Sequence, residues 1–210
     1  MSKIKICGLS RPEDVAFVNE AKPDYAGFVI QVPKSIRNVS VQTLYRLRKQ
    51  LREEIPAVGV FVNAPLDLVV NLCRDKILSY VQLHGQENGE YIKRLKEQTE
   101  VPVIQAFSIS SREDVQKAAA SQADYPLLDH GRGGTGESFD WSLISHMERP
   151  YFLAGGLTSK NVGEAIETLH PFAVDMSSSV ETDGKKDYEK IMAAVAAVRS
   201  ADRLRKEDLG

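Results

Sequence analysis

Two side chains capable of acid–base chemistry stand at the ends of strand-like runs, each just before a glycine turn. Cys7 closes the alternating run KIKIC and precedes Gly8, and Asp129 closes the apolar run YPLLD and precedes Gly131. An ionised thiol can remove a proton, and a carboxyl that burial keeps protonated can donate one. The two residues are therefore candidates for proton transfer, although cysteine also fills buried space and an aspartate also caps turns.

The elements that must position these side chains alternate regularly between strand and helix. Short β-rich apolar runs predict strands at residues 3–7, 24–30, 57–62, 79–83, 102–107, 125–129, 150–154 and 172–176. Apolar spacings of three and four predict helices between them, most clearly over 40–53, 158–169 and 187–199. Such alternation implies parallel pairing, because each helix returns the chain to the same end of the sheet. The predicted fold class is α/β, as a single (β/α)8 TIM barrel with outer helices; an open doubly wound sheet is the alternative.

This architecture makes the glycine- and serine-rich segments after the last three strands informative. Active sites of (β/α)8 barrels lie where strands end, and the loops after strands seven and eight often hold a phosphate. Glycine lets backbone N–H groups approach a ligand closely, and those groups can bind a dianion without a surplus of basic side chains. We therefore predict a phosphate site. Its candidate residues are Gly134, Thr135, Gly136, Gly155, Gly156, Ser178 and Ser179.

Composition limits the remaining possibilities. The chain has 210 residues and a formal net charge of −2, which argues against a general nucleic-acid binder. No apolar run approaches the roughly 20 residues that cross a bilayer, and the N-terminus lacks a signal-peptide core. We expect a cytoplasmic, monomeric protein with no membrane partner. It forms one domain over residues 1–200, followed by a charged tail over 201–210. The four histidines lack the spacing of metal ligands, so no metal is predicted.

Several motifs taken together resemble one enzyme family. KICGLSRPEDV at the start, QLHG after the fourth strand, LLDHGRGGTGESFDW after the sixth, LAGGLTSKNV after the seventh and VDMSSSVE after the eighth occur in this order. This combination resembles phosphoribosylanthranilate isomerase of tryptophan biosynthesis, over residue 3 to about residue 198. The resemblance implies a phosphorylated small-molecule substrate and no cofactor.

The resemblance also implies roles for individual residues. The expected reaction is an Amadori rearrangement of N-(5-phosphoribosyl)anthranilate, an aminoaldose, to 1-(2-carboxyphenylamino)-1-deoxyribulose 5-phosphate. Asp129 would be the general acid that protonates the ring oxygen, and Cys7 the general base that removes the proton on C2. Arg37 matches a family position and could bind the anthranilate carboxylate through its guanidinium fork. Asp175 could contact the sugar or serve a buried structural hydrogen bond.

Two departures from the family pattern and two alternative functions remain. Ser179 stands where the family usually has glycine, which would add strain if that position needs a positive φ. The segment PKSIRNVS lacks the proline that the family more often places before the arginine. The alternatives are the related histidine-pathway isomerase, which uses two aspartates, and a non-catalytic phosphate-binding barrel. A cysteine at position 7 argues against the first, and the presence of both Cys7 and Asp129 argues against the second.

Overall fold

The protein is a parallel β-barrel surrounded by helices. The computed structural model describes residues 2–130, 141–144 and 147–207. Within these residues, eight parallel strands follow the order β1-β9-β8-β7-β6-β5-β4-β2, and β2 pairs with β1 to close the barrel. These strands are β1 (Lys3–Cys7), β2 (Tyr25–Ile30), β4 (Ala57–Phe61), β5 (Tyr80–Leu83), β6 (Val103–Ile109), β7 (Tyr125–His130), β8 (Phe152–Leu153) and β9 (Ala173–Met176). The predicted (β/α)8 barrel is therefore confirmed.

Helices on the outside of the barrel follow the strands, and all but the last connect one strand to a later one. They are α1 (Pro12–Ala21), α2 (Val41–Arg48), α3 (Leu66–Arg74), α4 (Gly89–Gln98), α5 (Arg112–Ala119), α6 (Val162–Leu169) and α7 (Tyr188–Glu207). Residues 201–207, in the segment predicted as a tail, continue the backbone of α7. In the described part of the chain, none of the helices is both long and apolar enough to cross a membrane.

Besides α7, which continues well past residue 199, two predicted helices begin or end at residues other than those the apolar spacing indicated. The pattern over 40–53 extends beyond α2 because Leu51, which follows the helix in a turn, is still buried at 3% exposure. The pattern over 158–169 begins before α6, in a turn where the backbone N–H of Thr158 donates to the side chain of Asn161. Apolar spacing reports burial, and burial does not stop where helical hydrogen bonding stops.

Within the described residues, three very short strands were absent from the sequence prediction. They are β3 (Asn38–Val39), which pairs with β2, and the antiparallel pair β10 (Glu181–Thr182) and β11 (Lys185–Lys186). Two-residue strands cannot display the alternation on which strand prediction depends. β3 directly follows Arg37, and β10 and β11 follow β9. All three therefore shape the rim of the barrel at the carboxyl ends of its strands.

The core has two layers, one between strands and helices and one inside the barrel. Ile4 and Ile6 of β1 face the helices, so Lys3, Lys5 and Cys7 face the interior by the alternation of a strand. Aromatic rings fill the end of the interior where the strands begin, with ring centroids 4.7 to 5.8 Å apart. The rings belong to Tyr25, Tyr80, Tyr125, Phe152 and Phe172. This packing closes that end, so a polar site inside the barrel must lie toward the carboxyl ends of the strands.

Candidate functional site

Cys7 is the last residue of β1 and lies on the interior face of the barrel. The thiol is free and buried, with 7% of the residue exposed. Gly27 is its partner on β2, and a Cβ on Gly27 would lie 2.9 Å from Cys7 Sγ. Real Cβ atoms essentially never approach so closely, so the glycine provides the space that the thiol occupies. The hydroxyl of Ser177 donates a 3.0 Å hydrogen bond to the carbonyl oxygen of Cys7 and ties this strand end to the segment after β9.

A buried ion pair lies directly beneath this thiol. Lys5 Nζ donates to both carboxylate oxygens of Asp175, at 2.9 and 3.0 Å, and the Lys5 side chain is fully buried. Lys5 and Asp175 are partners on the adjacent strands β1 and β9, which places the two side chains side by side inside the barrel. Removing one member of such a pair typically costs about 3–5 kcal/mol, because the other charge is left buried and unpaired.

The ion pair also sets the electrostatic environment of the thiol. Burial raises the pKa of Cys7, the Lys5 ammonium opposes that rise, and the Asp175 carboxylate adds to it. Burial alone would lower the pKa of Lys5, but Asp175 and Cys7 together outweigh this effect, and the pKa lies above its usual value. Lys5 is therefore a permanent cation beside Cys7, and Cys7 is mainly a thiol at neutral pH.

Asp129 lies near the carboxyl end of β7 and on the interior side of the barrel. Leu127 belongs to the cluster of apolar residues inside the barrel and Leu128 to the outer cluster, so alternation turns Asp129 inward with Leu127. The residue is partly exposed, as expected for a side chain close to the barrel mouth. Asp129 and Cys7 therefore both belong to the rim where the strands end, on strands that β8 and β9 separate.

Arg37 lies between β2 and β3 and makes a two-pronged contact with Glu181. Its Nε and Nη2 atoms donate to the two carboxylate oxygens of Glu181, both at 2.6 Å. Lys186 Nζ also donates to Glu181, at 2.6 Å, and to the carbonyl oxygen of Ser177, at 3.0 Å. The methylenes of Arg37 pack against Gly8, which has a φ of +88° and where a Cβ would overlap the arginine. We call Arg37, Glu181 and Lys186 the rim cluster.

The charges of the rim cluster support one another. Burial alone would raise the pKa of Glu181, but the hydrogen bonds and charges of Arg37 and Lys186 together outweigh this effect, and the pKa is lowered. Burial lowers the pKa of Lys186, and the contact with Glu181 opposes this effect. Two cations share one carboxylate, so the rim cluster has a surplus of positive charge close to Cys7. Such a surplus suits an anionic ligand group.

The structure describes four of the seven predicted phosphate-site residues. Gly134, Thr135 and Gly136 lie outside the described residues. Gly155 and Gly156, after β8, have left-handed φ values of 83° and 66°, which glycine adopts without strain. Ser178 and Ser179 lie in a 3-10 turn (Ser178–Val180) after β9.

The serine that replaces the usual family glycine causes no backbone strain here. Ser179 is not among the residues with a positive φ, because the 3-10 turn keeps its backbone in the ordinary right-handed region. The sequence predicted strain only if position 179 needs a positive φ, and it does not.

Four polar residues near the predicted site were not identified from the sequence. Lys5, Glu181 and Lys186 come together only through contacts between distant segments. Gln82 lies inside the barrel on β5 at 1% exposure, and its Nε2 is 3.0 Å from Nδ1 of His84. In the described part of the chain its Oε1 has no hydrogen-bond partner, which is costly for a buried acceptor. For Lys5 and Gln82, the available sequence signal was a polar residue at an interior position of the predicted strands KIKIC and SYVQL.

Among the described residues, no three His, Cys, Asp or Glu side chains cluster closely enough to hold a metal ion.

Comparison with known proteins identifies close relatives along nearly the whole chain. Residues 4–197 match the family model described as N-(5'-phosphoribosyl)anthranilate (PRA) isomerase. The N-(5'-phosphoribosyl)anthranilate isomerase of Endomicrobium trichonymphae is 49% identical over 204 residues, covering 95% of this chain and 100% of that protein. The corresponding protein of Clostridium acetobutylicum is 44% identical over 207 residues, covering 95% and 98%.

Solved structures give the same result. The phosphoribosylanthranilate isomerase of Thermotoga maritima superposes with a TM-score of 0.86 at 36% identity, covering 95% of this chain and 100% of that chain. A phosphoribosylanthranilate isomerase in complex with reduced 1-(o-carboxyphenylamino)-1-deoxyribulose 5-phosphate superposes with a TM-score of 0.84, at the same identity and coverage.

Proposed function

Because the chain belongs to the N-(5'-phosphoribosyl)anthranilate isomerase family, we propose that it catalyses the Amadori rearrangement of N-(5'-phosphoribosyl)anthranilate in tryptophan biosynthesis. The observation that carries the proposal is Cys7, a buried thiol at the end of β1 beside a fixed ammonium group. Asp129, at the same rim of the barrel, supplies the second acid–base group. The reaction rearranges atoms within one molecule, so acid–base groups and binding groups are sufficient.

The proposed mechanism moves one proton onto the substrate and one off it. Protonated Asp129 donates to the furanose ring oxygen, which opens the ring and leaves a C1=N iminium with the anthranilate nitrogen. The Cys7 thiolate then removes the proton from C2, and the resulting enol becomes the C2 ketone as its hydroxyl loses a proton and C1 gains one. The proton that Cys7 took replaces the one that Asp129 gave, which restores both groups. The reactive form of the free site therefore has a protonated carboxyl and a thiolate, which together hold one proton. Substrate and product have the same atoms.

Arg37 is proposed to bind the anthranilate carboxylate. Its Nε and Nη2 are engaged with Glu181, and Nη1 is not one of those donors, so Nη1 is the nitrogen that a ligand carboxylate would meet. The ligand named for the solved relative has a carboxyphenyl group and a phosphate, which fits one anion site at the rim cluster and a second at the glycine and serine loops. Gly155, Gly156, Ser178 and Ser179, with residues 134–136, are proposed for the phosphate, and Asp175 for a sugar hydroxyl.

Replacing Arg37 with methionine is expected to raise KM by about tenfold to a hundredfold and to change kcat less. A charge-assisted hydrogen bond contributes about 1.5–3 kcal/mol, and this contact exists in ground and transition states alike. Steady-state kinetics measures both constants. The matched control is Glu181→Gln, which weakens the same internal ion pair but keeps the guanidinium. If E181Q raises KM as much as R37M does, the effect arises from the rim cluster's architecture rather than from ligand binding.

The proposed function is tested directly by anthranilate fluorescence. Phosphoribosylanthranilate is generated in situ, and purified protein is expected to consume it in proportion to its concentration. A non-catalytic barrel would bind the substrate without turnover. A histidine-pathway isomerase would instead act on the aminoaldose of that pathway, which is assayed in parallel. Either result would overturn the proposed activity. A monomeric state and a cytoplasmic location remain predictions.

A further inference from the structure

Lys5 is an unusual residue for the interior of a barrel. Its side chain is fully buried, although the apolar cluster inside the barrel includes Val58, Ile104, Leu127 and Phe152. Charged groups are expensive to remove from water, and apolar residues of similar volume often replace a buried ion pair without loss of stability. Stability alone therefore gives no reason for an ammonium at this position.

The position of the Lys5 side chain suggests what the ammonium does. Lys5 and Cys7 are two residues apart on one strand, so both side chains lie on the same face. A Cβ placed on Gly27 would lie 3.1 Å from Lys5 Cε and 2.9 Å from Cys7 Sγ. Both atoms therefore border the same point, and the charge of the Lys5 ammonium lowers the pKa of the thiol.

Charged groups from every neighbouring element face this thiol. Asp175 of β9 holds Lys5, while Lys186 of β11 and Arg37 after β2 add positive charge from the rim. Glu181 balances part of the rim charge, and Asp129 of β7 belongs to the same rim by its position at the end of a strand. Among these groups, the Lys5 ammonium is held in place by the two hydrogen bonds that it donates to Asp175. It therefore does not have to reorient when the sulfur becomes charged.

We propose that Lys5 is a positioning residue that stabilises the Cys7 thiolate, and that Asp175 orients this ammonium while limiting its effect. The inference rests on the proposed function and deepens it by assigning the group that supports the base. Lys5 stays protonated throughout: the Cys7 thiol loses its proton to the Asp129 carboxylate, and the thiolate later takes the C2 proton. A preorganised ammonium in a water-poor site acts more strongly than the same charge in solvent.

The test is the pH dependence of Cys7 alkylation by iodoacetamide, followed by mass spectrometry without substrate. Replacing Lys5 with methionine should raise the pH midpoint of Cys7 alkylation by about one unit or more. At a pH well below the midpoint, a shift of about one unit corresponds to a tenfold smaller thiolate fraction. Replacing Asp175 with asparagine should lower the midpoint, because the ammonium is then no longer neutralised. The pH midpoint of alkylation does not depend on how readily iodoacetamide reaches the buried sulfur, whereas the alkylation rate at a single pH does.

Opposite shifts distinguish electrostatic support from a structural role. If the ion pair only holds the barrel together, both variants loosen the site and both midpoints move toward that of a free thiol. Cys73 provides an internal control, because burial raises its pKa to about 11 on helix α3, outside the barrel interior. Its alkylation should be the same in all variants. A midpoint for K5M that is unchanged or lower would overturn the proposal.

A second comparison covers the case in which K5M does not fold. The double variant K5M/D175N replaces the ion pair by neutral side chains of similar size, and it is compared with D175N, so that only the charge of Lys5 differs. The double variant should have the higher midpoint; equal midpoints contradict the inference. Turnover by the unaltered protein is measured separately. Turnover with no midpoint shift defeats this inference alone, and midpoint shifts with no turnover defeat the proposed function alone.

Discussion

Replacement of Cys7 by serine should lower kcat for phosphoribosylanthranilate isomerisation by roughly 10³-fold, the size of effect typical of losing a general base. Serine preserves the shape of the side chain in the space beside Gly27, but its hydroxyl does not ionise in the accessible pH range. KM should change little, because the sulfur is proposed to act on C2 rather than to hold the substrate. Steady-state fluorescence kinetics gives both constants.

The matched control for this substitution is the other cysteine of the chain. Cys73 is also free and buried, but it belongs to helix α3, so Cys73→Ser should keep kcat close to that of the unaltered protein. The pH profile gives a further check. The reactive form holds one proton on the Cys7–Asp129 pair, so kcat/KM should rise with pH as the pair loses its first proton and fall as it loses the second, and C7S should lose the rising limb. Because burial raises the pKa of Cys7, the fall should lie above the usual pH range of a thiol. Near-normal turnover by C7S would remove Cys7 from the mechanism.

Replacement of Asp129 by asparagine should lower kcat by roughly 10²- to 10⁴-fold. An asparagine side chain is nearly isosteric with aspartic acid, but it cannot transfer a proton to the ring oxygen of the substrate. The pH profile should lose the limb that reports ionisation of the general acid, which is the limb that falls as pH rises. Circular dichroism and thermal unfolding should show the fold retained.

Asp124 offers a control just before the opposite end of the same strand. Its carboxylate accepts a 2.7 Å hydrogen bond from the backbone of Val103 and pairs with Lys96, so its role is structural. Asp124→Asn should lower the melting temperature and leave kcat nearly unchanged. Equal losses of kcat in D124N and D129N would mean that the losses reflect damage to β7, and the acid would have to be sought elsewhere.

Much of the fold and part of the candidate site could be predicted from local sequence. The period of apolar residues identified the barrel strands and three of the helices, because each pattern lies within one short segment. The run KIKIC also placed Cys7 at a strand end, and the rule that barrel chemistry collects there directed attention to Asp129. Two-residue strands escaped prediction because they have no period to detect.

Only the tertiary structure decided which charges meet. Lys5 and Asp175 are separated by 170 residues in sequence, and Arg37 and Glu181 by 144, so no local pattern could pair them. Their contacts depend on barrel closure and strand register, which set Lys5 opposite Asp175 across β1 and β9. The sequence alone determined which strand end has the thiol. The closed barrel determined that a lysine beneath this thiol would be buried, paired and close enough to influence it, because only closure brings the first and last strands together.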